Sequence, residues 1–83
     1  MSLWTRDVLL EILPWCKMHN VAFIPFSPLG RGFLSGKYIS TDMFGKNDLR
    51  SYNPRFQAEA LQTNLEIVKQ INQIAQRHNA TNA

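Results

Sequence analysis

Between Asn53 and His78 the chain carries one long amphipathic pattern, and this constrains its fold more than any other feature. At about 100° per residue, Phe56, Ala60, Leu61, Leu65, Ile67, Val68, Ile71, Ile74 and Ala75 share one half of a helical wheel. Glu59, Gln62, Glu66, Lys69, Gln70, Gln73 and Arg77 take the other half. Asn53 is a good N-cap and Pro54 suits the first helical position, so the pattern predicts a helix over residues 54–78. Such a helix lays one side on a core and leaves the other in water. The tail from Asn79 to Ala83 is small and polar and is expected to fray.

A second helix is expected over residues 6–19, where Leu9, Ile12, Leu13 and Cys16 fall at i, i+3, i+4 and i+7. Thr5 and Asp7 are both candidate caps, and His19-Asn20 is a plausible stop. Pro14 conflicts with an unbroken helix, because it lacks a backbone donor and its ring clashes with the preceding turn. A kink there, or a helix restarting at Pro14, is the expectation. Residues 21–26 are short, nearly all apolar and bounded by turn formers, which predicts a strand buried on both faces. Helix, tight turn and apolar strand follow the rhythm of a parallel α/β fold. Residues 27–52 form the loop region, with a turn-rich start to Gly36 and then a polar excursion without a period.

Composition narrows the function classes. Of 83 residues, 45% are hydrophobic and 18% charged, which is a globular balance. The net charge of +3 is spread along the chain, as on an ordinary solvated surface, and suits a small phosphate-bearing molecule better than a nucleic-acid duplex. Cys16 is the only cysteine, which excludes an intramolecular disulfide and a Cys-rich metal site, and fits a cytoplasmic setting. No apolar run approaches the roughly 20 residues that span a bilayer, so no membrane partner is expected. Cys16 reads as a small core residue, His19 and His78 as helix-end groups, and Trp4 and Trp15 as packing residues.

The chemistry is expected in the loop after the strand, since ligands of parallel α/β folds bind beyond the carboxyl ends of strands. There, glycines permit close backbone approach to a phosphate, Ser27 offers a hydroxyl, and Arg31 and Lys37 offer cations. The string Ser27-Pro28-Leu29-Gly30-Arg31-Gly32-Phe33-Leu34-Ser35-Gly36-Lys37 is more specific than its composition. Together with Ser2 to Asp7, Glu11 to Pro14, Val21 to Phe26, Asp48-Leu49-Arg50, Asn53 to Phe56 and Ala75 to Asn79, it resembles the aldo-keto reductases in order along nearly the whole chain.

That resemblance implies a fragment of a (β/α)8 TIM barrel, with one buried strand and two helices, as a partial domain over residues 1–83. It implies NADP(H) as cofactor and a small carbonyl compound as substrate. Phe26 would lie against the nicotinamide ring. Ser27, Pro28, Leu29, Gly30 and Arg31 would follow the diphosphate, with Lys37 beside it and Arg50 as a later basic contact. The family's catalytic Asp, Tyr, Lys and His lie on segments that precede the matching one, so no catalytic residue is assigned here. A barrel of this kind needs about 250 residues, so the chain alone is expected to be inactive. Two other readings stand beside this one: a truncated non-enzymatic product, and a helix-mediated interaction module that self-associates or binds the missing barrel half.

Overall fold

The structure, a computed structural model, describes residues 1–83 and divides into two units, Met1–Gly30 and Arg31–Ala83. In the first, a short 3-10 turn at Asp7–Leu9 precedes helix α1, Ile12–Met18. The single helix expected over residues 6–19 is therefore split. Pro14 supplies the reason: in a continuous helix its ring would meet the carbonyl of Leu10, four residues back. Starting at Ile12 puts Pro14 in the first turn, where its missing N–H has no intrahelical partner to lose. Neither Thr5 nor Asp7 caps α1, whose N-cap is Glu11 without a side-chain hydrogen bond.

The stop at His19-Asn20 forms as expected. Asn20 turns left-handed at φ 55°, its N–H reaches the carbonyl of Lys17 at 3.4 Å, and Val21 N–H reaches that of Cys16 at 2.9 Å. This is a Schellman closure, with Asn in the position that favours a residue tolerant of positive φ. Cys16 is the one buried residue of α1, as its place on the apolar stripe suggests.

The strand expected over residues 21–26 is absent, and with it the α/β layer. Residues 21–25 carry no regular secondary structure, and Val21, Ile24 and Phe26 are 47%, 89% and 86% exposed. A strand draws its hydrogen bonds from neighbouring strands, and within these residues no other extended segment offers a ladder. The apolar run is therefore displayed without being paired.

The second unit begins with a 3-10 turn at Phe33–Ser35, bracketed by Gly32 and Gly36 at φ 85° and 79°. The stretch to Phe56, without a period in the sequence, is a succession of 3-10 turns at Thr41–Met43, Leu49–Tyr52 and Pro54–Phe56. Each is capped by a short polar side chain accepting from the N–H two residues on: Ser40 from Asp42 at 3.3 Å, Asp48 from Arg50 at 2.9 Å and Asn53 from Arg55 at 3.0 Å. Asn53 and Pro54 thus start a turn, as their types require, but not the long helix. Gln57 is extended (φ −69°, ψ 153°), and α2 runs from Ala58 to Arg77.

This break lets Phe56 turn into the core. It is 2% exposed and meets Phe33 and Phe44 edge-on at 5.2 and 5.3 Å. Leu61, Val68 and Ala75, seven residues apart, form the buried line of α2. The seven polar positions assigned to its outer face are all exposed, while Ile74, assigned to the apolar half, is 55% exposed. Helix α2 closes like α1, with Asn79 left-handed at φ 50° and Ala80 N–H bonded to the carbonyl of Ala75 at 2.9 Å. The tail does not fray throughout: Asn82 Nδ2 donates to the carbonyl of Leu34 at 3.4 Å. No helix is long and apolar enough to cross a membrane.

Candidate functional site

In the first unit, Ser2 builds the platform beneath the loop. Its hydroxyl accepts from the N–H groups of Trp4 and Thr5 at 3.2 and 3.1 Å, fixing the turn that carries the Trp4 indole. That indole covers Gly30, which is buried and left-handed at φ 56°. A Cβ at Gly30 would stand 2.5 Å from Trp4 Cζ3, so this close approach requires glycine. Trp4 is thus a packing residue. Gly30 N–H closes on the carbonyl of Ser27, itself at φ 49°, at 3.0 Å. Leu29 is half-buried, whereas Pro28 and Phe26 are exposed. At 86% exposure, Phe26 presents a flat apolar ring to solvent, a surface suited to stacking.

In the second unit, Arg31 is exposed at φ 58°, and Gly32 lets the chain pass beside Tyr38, whose Cε2 lies 3.1 Å from where a Cβ would be. Lys37 and Arg50, thirteen positions apart in the sequence, gather around the Tyr38 ring. Lys37 Nζ is 5.7 Å and Arg50 Cζ 4.2 Å from its centroid, within cation–π range. Phe44 backs the arrangement, 5.4 Å from Tyr38 and 5.6 Å from the guanidinium carbon.

Arg50 is held on two sides. Its Nε donates to both Asp48 oxygens at 2.9 and 3.1 Å, and its Nη2 donates to Oδ2 at 2.6 Å. Its Nη1 donates to the Tyr38 hydroxyl. Hydrogen bonds from the Arg50 side chain and backbone N–H hold the Asp48 carboxyl below its usual value of 3.8, while the Asp48 bond raises Arg50. A depressed carboxylate contributes stability above its unfolded value and loses it as pH falls through the lower folded value. The order of the Leu49–Tyr52 turn is therefore expected to persist unchanged down to about pH 4 and to fall below it. Following the Arg50 Nε–H resonance by NMR during acid titration checks this; a loss that begins near neutrality would contradict it.

Sequence reasoning singled out Lys37 and Arg50 but gave no role to Tyr38 or Asp48. The signal for Asp48 was present in the Asp-x-Arg spacing, which suits a capped turn with an ion pair. Tyr38 could have been found only through the spacing of Phe33, Tyr38, Phe44 and Phe56, which follows no regular period. His19 stacks on Trp15 with ring centroids 4.4 Å apart, and His78 is the C-cap of α2, in keeping with helix-end roles. A cleft of about 330 Å³ lies beside α2, lined by Ser35, Gly36, Ile39, Leu65, Lys69 and Asn82 among others.

Comparison with known proteins gives a consistent result. The model of the aldo/keto reductase family matches residues 1–83. A probable aldo-keto reductase 1 of Glycine max is 44% identical over 82 residues, covering 99% of this chain and 23% of the relative. The aldo-keto reductase yakc [NADP(+)] of Schizosaccharomyces pombe is 41% identical over 72 residues, covering 87% of this chain and 21% of the relative. The chain thus spans less than a quarter of the length of these relatives. No solved structure gives a significant match.

Proposed function

Because the chain belongs to the aldo/keto reductase family, we propose that it supplies cofactor contacts to an NADP(H)-dependent reduction of small carbonyl compounds. When bound, the cofactor supplies the hydride that goes to the carbonyl carbon, with a proton going to the oxygen. The chain's own residues bind and orient. Phe26 offers a ring face for the nicotinamide, which fixes the face presented for transfer. By resemblance to the family, Ser27, Pro28, Leu29 and Gly30 of the first unit match its diphosphate contacts, and so do Arg31, Lys37 and Arg50 of the second, whose charge suits a phosphate. The proton-transferring residues of such an enzyme are not assigned to this chain, so hydride transfer requires the rest of a barrel.

The observation that supports this reading is that Lys37 and Arg50 both lie within cation–π range of the Tyr38 ring, two cations near one side chain of the second unit. A relative named for NADP(+) supports the choice of cofactor. Titrating NADPH into the chain, with cofactor fluorescence as readout, should show saturable binding that Arg50→Ala weakens by about tenfold. Failure to saturate by about 1 mM cofactor removes the proposal. A second reading, a helix-mediated interaction module, is favoured by Leu10, Met18 and Ile24, which are 87%, 71% and 89% exposed. That reading gives no reason for Arg50 to affect NADPH, so the same titration separates the two.

A further inference from the structure

Arg50 faces a rival for any incoming anion. Its Nε–Nη2 edge is the pair of parallel donors that fits a carboxylate or a phosphate equally well. Asp48 already occupies that edge through Oδ1 and Oδ2 at 2.6 to 3.1 Å. Tyr38 takes one N–H of Nη1. Of the five guanidinium N–H groups, these contacts use three, and the side chain remains 26% exposed. An arriving phosphate would therefore meet only the two remaining donors of Arg50, while the favoured edge is closed.

Asp48 is also fixed in this position. Its Oδ1 caps the Leu49–Tyr52 turn by accepting the Arg50 backbone N–H at 2.9 Å, so the carboxylate cannot swing aside without uncapping that turn. The side chain is only 21% exposed. We propose that Asp48 is a built-in counter-anion that competes with phosphate oxygens for Arg50 and so limits how tightly this chain holds an anionic ligand. The inference rests on the proposed reading that Lys37 and Arg50 meet the cofactor's diphosphate. Lys37, Arg50 and Asp48 together carry one net positive charge, and neutralising Asp48 makes it two. Tyr38 and Phe44, 4.2 and 5.6 Å from Arg50 Cζ by ring centroid, are contacts of the guanidinium that do not depend on the carboxylate's charge. The arrangement trades affinity for release, as suits a ligand that must leave after each turnover.

The test uses inorganic pyrophosphate as probe on the full chain, with calorimetry as readout. Asp48→Asn keeps the capping oxygen and removes the charge; it is expected to bind pyrophosphate about fivefold more tightly than the parent. Asp48→Ser, which also keeps a capping oxygen, should do the same, and it stands in should the Asn variant lose its circular dichroism spectrum. Adding Arg50→Ala to either should abolish the gain. Equal or weaker binding by both single variants overturns the inference, as does a gain that survives Arg50→Ala or an absence of pyrophosphate binding in every form. NADPH separates this inference from the reading beneath it. A tighter pyrophosphate complex without NADPH binding removes the cofactor reading alone, and NADPH binding that Asp48→Asn leaves unchanged removes the counter-anion alone.

Discussion

Replacing Phe56 by Ala is expected to unfold the second unit. The ring is 2% exposed and touches Phe33 and Phe44 edge-on, with Tyr38 6.5 Å away, so its removal empties the centre of the aromatic cluster. Truncating a buried Phe costs about 3–5 kcal/mol, and a domain of ordinary size has only about 5–15 kcal/mol in total. A unit spanning Arg31 to Ala83 has less to spare. Helix α2, Ala58–Arg77, should lose order as well, because most of the stability of a helix in a protein comes from packing its apolar face. Far-ultraviolet circular dichroism across a urea titration reads both effects. Ile74→Ala is the matched control: its side chain is 55% exposed, so the change should stay within about 0.5 kcal/mol. Equal midpoints for the two variants would show that Phe56 does not hold the core.

Gly30→Ala is expected to be the most damaging single change in the first unit. Two effects add at this position. An L-residue in the left-handed region costs about 1–2 kcal/mol, and Gly30 sits at φ 56°. The new methyl would also lie 2.5 and 2.9 Å from Trp4 Cζ3 and Cε3, so the indole must leave its place. A combined loss of about 2–4 kcal/mol follows, with overpacking supplying the second part. Because the sequence holds two Trp residues, a Trp15→Phe background isolates the Trp4 emission. Gly30→Ala should shift that emission towards the red, as the ring becomes wetter. Trp4→Ala should be less harmful with Ala at position 30 than with Gly there, since the clash would already be gone. Additive effects of the two substitutions would mean that the contact is not the source of the strain.

Local rules were legible where local chemistry decides. Asn20 and Asn79 end their helices because a short polar side chain tolerates positive φ, and both stops follow a histidine at the C-cap. Asn53 and Pro54 start a turn where their types predict one, and Glu59, Gln62 and Arg77 lie on the wet face of α2. The expectation failed at Gln57, where a cap followed by Pro was read as the start of one continuous helix. Nothing local favours the break; burial of Phe56 does, and that depends on Phe33 and Phe44 arriving from earlier in the chain. The strand over residues 21–26 failed for a related reason. A short apolar run bounded by turn formers describes how well a segment suits a sheet, but the sheet itself must come from other strands.

The candidate site divides along the same line. The string from Ser27 to Lys37 carries the resemblance to the family, whose model matches residues 1–83, because glycine spacing and turn chemistry are written in order along the chain. It also holds the glycine at position 30, which the Trp4 contact requires, and the cations Arg31 and Lys37. What the string could not contain was the partner of each cation. Tyr38 meets Arg50 across twelve positions of a stretch without periodicity, and Asp48 meets it through a turn whose closure sets the carboxylate against the guanidinium. Helix stops, the polar outer face of α2 and membership of the family were all readable from the order of residues alone. That Arg50 is already engaged by Asp48 and Tyr38 emerged from the folded chain, because ion pairing depends on distance in space and a linear order of residues does not specify it.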